Sequence, residues 1–294
     1  MTYHDPAAAD HRKSELSPSD GAAPGGPAST AKAPLWIWAL GASLIAGLIG
    51  GMCGESTYHL VKPLINRSAN PTPSGVVRSP TGEWVRRTNL PENFASLGAY
   101  DKSAAIADAT TEGNIGAERL NSAIAYGVLG AVLAGGLGLA GGFARRSISG
   151  GLVAAVVGLV VGGVVGAGMS VALTPLFYKL LQPEVNPLAA PFVSHSLLFA
   201  AIGVAGGLAL GIGRGRRGWI VRTTLGGLVG ALVGTVIIES AVAIMYPLLR
   251  VLEPLPGERL PRVATHIIVA VFVALGAVVA ARDPSRRVIP SATP

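Results

Sequence analysis

Apolar residues in this chain gather into six long runs, at approximately 34–54, 123–143, 151–173, 196–213, 220–245 and 264–281. Between them lie polar segments holding most of the arginine, proline and acidic residues. Crossing about 30 Å of hydrocarbon at 1.5 Å per residue takes roughly 20 apolar residues in helical form. A helix also satisfies every backbone polar group within its own segment, as lipid requires. The pattern predicts an all-α integral membrane protein with six transmembrane helices.

The runs also repeat. A Gly-rich apolar helix ends at a proline, a polar loop follows, and a second apolar helix closes at arginines. The first unit passes from Trp36 through Glu55 and Pro63 to Arg145 and Arg146. The second passes from Gly150 through Pro175 to Arg216 and Arg217, and the third from Trp219 through Glu239 and Pro247 to Arg286 and Arg287. This predicts three tandem Gly-rich hairpin repeats. Aligned on the prolines, Glu55, Ala167 and Glu239 are equivalent, as are Gly50, Gly162 and Gly234. Each odd-numbered helix then carries small residues one turn apart: Ala46, Gly50 and Gly54; Gly158, Gly162 and Gly166; Gly226, Gly230 and Gly234. Such spacing lets helix backbones approach closely where lipid supplies no hydrophobic force between helices, so these glycines are read as packing contacts.

Outside the six-helix domain at 34–281, residues 1–33 hold almost no large apolar side chains and are expected to form a disordered cytoplasmic tail. No small-residue cleavage site follows the first run, which is read as an uncleaved anchor. An outer loop at 64–122 interrupts only the first unit. Its segment 70–75 reads as an extended linker, whereas Phe94, Leu97, Tyr100, Ala104 and Ile106 can share one face of a helix packed on the membrane domain. After Pro175 and Pro247, short stretches such as Leu176, Phe177, Leu180 and Leu181 suit either an interfacial helix or an irregular re-entry loop. Residues 282–294 form the predicted cytoplasmic C-terminal tail.

Composition agrees with lipid as the solvent: 50% of residues are hydrophobic, 13% are charged, and mean hydropathy is +0.52. The net charge of +7 does not imply nucleic acid, because the arginines flank apolar runs and form no stripe on a soluble face. They act instead as topology signals. Arg145, Arg146, Arg214, Arg216, Arg217, Arg222, Arg282, Arg286 and Arg287 share one side, and only Lys179, Arg250, Arg259 and Arg262 stand in the short connections opposite. Both termini are therefore expected in the cytoplasm. The Ala-, Gly- and Arg-rich composition suggests a bacterial inner membrane. The single cysteine, Cys53, excludes an internal disulfide framework.

Chemistry near the membrane is confined to Glu55, Glu239, His59, His195 and His266. Ionisable groups there are costly and are candidates for an ion or proton site. Glu55 and His59 stand one turn apart and could form a proton-coupled pair, and His195 and His266 each follow a hydroxyl residue, Ser194 or Thr265. The alternative is that each carboxylate snorkels to the interface and each histidine sits among headgroups. Residues 213–218 fit a dinucleotide fingerprint by letter but follow a membrane helix with no preceding strand. No catalytic constellation, cofactor site or metal-binding spacing is visible, so no enzyme activity is expected. The sequence suggests a structural or interaction protein that meets the bilayer through its helices and a protein partner through loop 64–122. The alternative is a small permease or ion-coupled transporter using Glu55 and Glu239.

Overall fold

Helix formation does not stop where the apolar runs stop. In the computed structural model, which describes residues 34–60, 76–78, 84–86, 90–180, 189–245 and 259–282, six α-helices continue into the polar flanks. They are α1 (Leu35–Leu60), α2 (Ala99–Arg145), α3 (Ile148–Leu180), α4 (Ala189–Arg214), α5 (Arg217–Met245) and α6 (Arg259–Ala280). Each contains a segment long and apolar enough to cross a membrane, and the chain is a multi-pass membrane protein. The tails at 1–33 and 283–294, the linker at 70–75, Pro63 and Pro247 lie outside the described residues.

Three boundaries depart from expectation in ways that matter. Helix α2 begins at Ala99, so residues 99–122 of the predicted outer loop are helical. Its first turns do not present the expected packed face: Tyr100 is 83% exposed, and Phe94 belongs to a separate 3-10 turn, Phe94–Ser96. Pro175 lies inside α3 and does not end it. Helix α6 starts at Arg259, which brings Pro261 and Arg262 into its first turn, where proline's missing N–H has no helical partner to lose. A small antiparallel ribbon, β1 (Val76–Arg78) with β2 (Trp84–Arg86), pairs Val77 with Val85 and adds a non-helical element.

Every helix packs on its neighbour in sequence, and α1 packs on α6, so the six close into a ring. Further contacts join α2 to α4 and α4 to α6 across the middle. The even-numbered helices are thus the inner ones: 67% of the α2 window is buried within the protein, against 28% for α3. Leu129, Leu133, Leu137, Phe199, Ile202, Val269 and Val273 fill the centre. Leu152, Val156, Val160 and Val164 on α3, and Val221, Leu225 and Val229 on α5, face outward. An apolar outer surface of this extent suits hydrocarbon and not water.

Glycine sets how closely these helices approach. On α2, Gly130, Ala134, Gly138 and Gly142 recur every fourth residue, as do Ala154, Gly158, Gly162 and Gly166 on α3. A Cβ added to Gly158 would stand 2.5 Å from the Ala134 carbonyl oxygen, and one on Gly162 or Gly166 would overlap the carbonyl of Gly130 or Tyr126. The two backbones therefore touch along a shared ridge. Gly203 and Gly207 of α4 meet Gly227 and Thr223 of α5 in the same manner. Gly226, Gly230 and Gly234 face α6 instead, against Gly276, Phe272 and Val269. On α1, Gly50 lies against Leu129 and the His266 ring, and Gly54 is buried.

Two short turns bind α2 to α3 and α4 to α5 at one end of the bundle. Arg146 and Gly215 both adopt the left-handed conformation, with φ of 63° and 69°. The Arg146 N–H donates to Phe143 and the Ser147 N–H to Gly142, satisfying carbonyls that the end of α2 would leave open. Ser147 Oγ then accepts from the Gly150 N–H and caps the start of α3.

Candidate functional site

The ridges that carry the glycines change character toward the end of the bundle opposite those turns. Continuing by fours, α2 passes from Gly130 to Tyr126, Ser122 and Glu118, and α3 from Gly166 to Ser170, Thr174 and Tyr178. The last members meet: the Tyr178 hydroxyl donates to Glu118 Oε2. On α5 the series Thr223, Gly227, Ala231 and Thr235 ends at Glu239, and on α4 Gly207, Gly203 and Phe199 lead to His195. Here His195 Nδ1 lies 2.5 Å from Glu239 Oε1. On α1, Gly47, Gly51 and Glu55 share a face, and Glu55 Oε2 accepts from Arg262 of α6 at 2.9 Å. Arg262 also donates to the Gly54 carbonyl at 3.2 Å.

Three helix pairs, α2 with α3, α4 with α5 and α1 with α6, are thus closed by a polar clasp. In two of them the basic partner lies deeper than the acid, with His195 4% exposed against 19% for Glu239, and Arg262 1% exposed against 28% for Glu55. A charge so placed is tolerated in a membrane protein because its partner neutralises it in place.

Between the clasps runs a buried file of rings. Tyr126 stacks nearly parallel on His266 with centroids 5.3 Å apart and meets Phe199 edge-on at 5.6 Å; Phe199 lies 5.9 Å from His195. The Nδ1–H of His266 donates to the Arg262 carbonyl at 2.7 Å, which fixes that tautomer for the neutral ring and leaves Nε2 as an acceptor. That Nε2 is buried without a partner among the described residues, and so is Ser194 Oγ. Ser194 and His195, with Tyr126, Ser170, Thr174 and Phe177, line a cavity with room for about one water molecule. Several span hydroxyls turn back onto their own helix, as Thr174 does to the Ser170 carbonyl at 2.8 Å and Thr265 to that of Pro261 at 2.8 Å, whereas Thr224 Oγ1 of α5 is buried without a partner among the described residues.

Of the residues singled out in the sequence, the structure brings Glu239 to His195 and places His266 one turn from the Arg262 that holds Glu55. Glu55 and Glu239 do not pair with each other. The His59 side chain lies outside the described residues, and the proposed Glu55–His59 pair with it. No group of three His, Cys, Asp or Glu side chains able to hold a metal ion occurs among the described residues. Arg262, Glu118, Tyr178 and Tyr126 were not anticipated. By sequence Arg262 counts only as a charge of an outer connection, although its place four residues before His266 puts both on one helix face. Comparison with known proteins finds no matching family model, no matching curated protein and no matching solved structure.

Proposed function

We propose that this chain is a small ion-coupled permease of a bacterial inner membrane, with both termini cytoplasmic and the clasped end facing outward. The observation that carries the reading is the His195–Glu239 contact at 2.5 Å, inside the bundle and beside a largely apolar cavity of water size into which the Ser170, Thr174 and Ser194 positions bring a few polar groups. Imidazole exchanges protons near neutral pH, and a carboxylate that accepts a proton loses its attraction for the cation beside it. Proton arrival at Glu239 would weaken the contact that holds α4 to α5 at this end. The clasps would then act as an outer gate, and the glycine ridges as surfaces along which helices slide. The arginine-rich turns supply the orientation by the distribution of basic residues. The inner placement of α2, α4 and α6 supports an origin in three tandem hairpins.

In proteoliposomes loaded with a pH-sensitive dye, Glu239→Gln is expected to lower proton flux at least about tenfold while leaving helix content unchanged, the scale of a lost general acid–base group. Flux equal to that of the unaltered protein, or no flux from the unaltered protein, would overturn the permease reading.

A structural or interaction protein is the second reading, and one observation favours it. Helix α2 is 47 residues long, but its membrane-compatible segment begins only at Ile115, so residues 99–114 project as a helical arm suited to a protein partner. On that reading the clasps only fasten the bundle, and their loss lowers stability without any transport to lose. No enzymatic role is proposed.

A further inference from the structure

We infer that the end of the bundle bearing the two short turns holds a binding site for the phosphate headgroup of an anionic phospholipid. The site is assembled by packing and is not contiguous in sequence. Gly141 of α2 lies where a Cβ would stand 2.5 Å from the Leu210 carbonyl oxygen of α4, and one on Gly213 would overlap the Gly138 carbonyl oxygen. These contacts press the α2–α3 turn against the α4–α5 turn. The Arg145 guanidinium consequently lies directly on Gly215, where any side chain would displace it. The Arg214 guanidinium, from the residue next to that glycine, sits 4.3 Å from the centre of the Trp219 ring, and Arg222 approaches the same ring at 5.9 Å.

Arginines from three helices thus gather about the two turns, Arg214 and Arg222 against one indole and Arg145 on Gly215, and Arg146, Arg216 and Arg217 are exposed in or next to the same turns. Between Glu118 and Glu239 the only acidic residue in the sequence is Glu184, which falls between α3 and α4. Helices α2 to α5 therefore bring no carboxylate of their own to this face, and the positive charges held together by glycine packing repel one another. An anion held among them offsets that repulsion. Guanidinium forks match phosphate oxygens, and tryptophan settles at the depth of lipid headgroups. Because the cluster lies where two apolar helix ends meet the membrane boundary, a lipid phosphate, anchored by its own chains, is the occupant that fits.

The test is native mass spectrometry of the detergent-purified full chain after addition of phosphatidylglycerol or phosphatidylcholine in equal amounts. Retention of phosphatidylglycerol in excess of phosphatidylcholine is expected, with a loss of about tenfold or more in Arg145→Gln/Arg214→Gln/Arg222→Gln. Arg259→Gln, an exposed charge at the other end, should leave retention unchanged. If the triple variant does not fold, Arg222→Gln alone, on the exposed face of α5, is expected to show a smaller loss of the same sign. Equal retention of the two lipids, retention unaffected by the arginine substitutions, or complete displacement of phosphatidylglycerol by inorganic phosphate at equal concentration would each overturn the inference.

Discussion

Glu55→Leu should destabilise the bundle by about 3–5 kcal/mol, well beyond the effect of removing its partner. The asymmetry follows from burial. Arg262 is 1% exposed, so deleting the carboxylate leaves a guanidinium that has lost its counter-charge and cannot reach water. Glu55 is 28% exposed and can be hydrated when Arg262 is replaced, so Arg262→Met should cost only about 1–3 kcal/mol. Removing both charges together, as Glu55→Leu/Arg262→Met, should recover much of the loss, because an apolar pair of similar volume leaves no buried charge. Unfolding of the purified protein in mixed detergent micelles, followed by helical circular dichroism, measures all three. A Glu55→Leu variant no less stable than Arg262→Met would show that Arg262 escapes to water, and that this clasp is not the closed contact described.

The same clasp shows what a sequence of this kind discloses and what it withholds. Six spans were legible because lipid makes hydrophobicity nearly sufficient evidence for a membrane helix, and the apolar runs are long. Their ends were not, since a hydropathy pattern falls silent once polar residues enter the helix. That is how the first 24 residues of α2 came to be read as loop, and how Arg262 came to be read as a topology charge. Proline was misleading at Pro175 because a helix lined by neighbours can absorb one lost N–H.

Local spacing carried more than it was asked for. The four-residue series through Gly158, Gly162 and Gly166 runs on into Ser170, Thr174 and Tyr178, and a reading that followed the register past the last glycine would have reached Tyr178. Which residue of another helix stands opposite is a different kind of fact. His195 and Glu239 are 44 positions apart, and Glu55 and Arg262 are 207 apart. Those pairings depend on how far each ridge slides along its partner, which the backbone contacts decide and no single helix contains.

Gly162→Leu is the sharpest test of those contacts, with an expected loss of about 3 kcal/mol or more. Even a Cβ at this position would overlap the Gly130 carbonyl oxygen and stand 2.8 Å from Ala134 Cβ, and neither neighbour is the movable end of a long side chain. Helices α2 and α3 must therefore separate, and the separation propagates along an antiparallel ridge to the Glu118–Tyr178 clasp. Gly168 sits six residues further along the same helix but is exposed, with nothing within 4 Å of the added atom. There Leu meets only lipid, and because glycine is a poor helix former the change should stay within about 1 kcal/mol and lean toward stabilisation. Unfolding measured side by side in the same detergent separates the two. Equal losses at both positions would mean that glycine serves α3 through backbone flexibility, and the close approach of α2 and α3 would lose its place as the contact that sets the bundle.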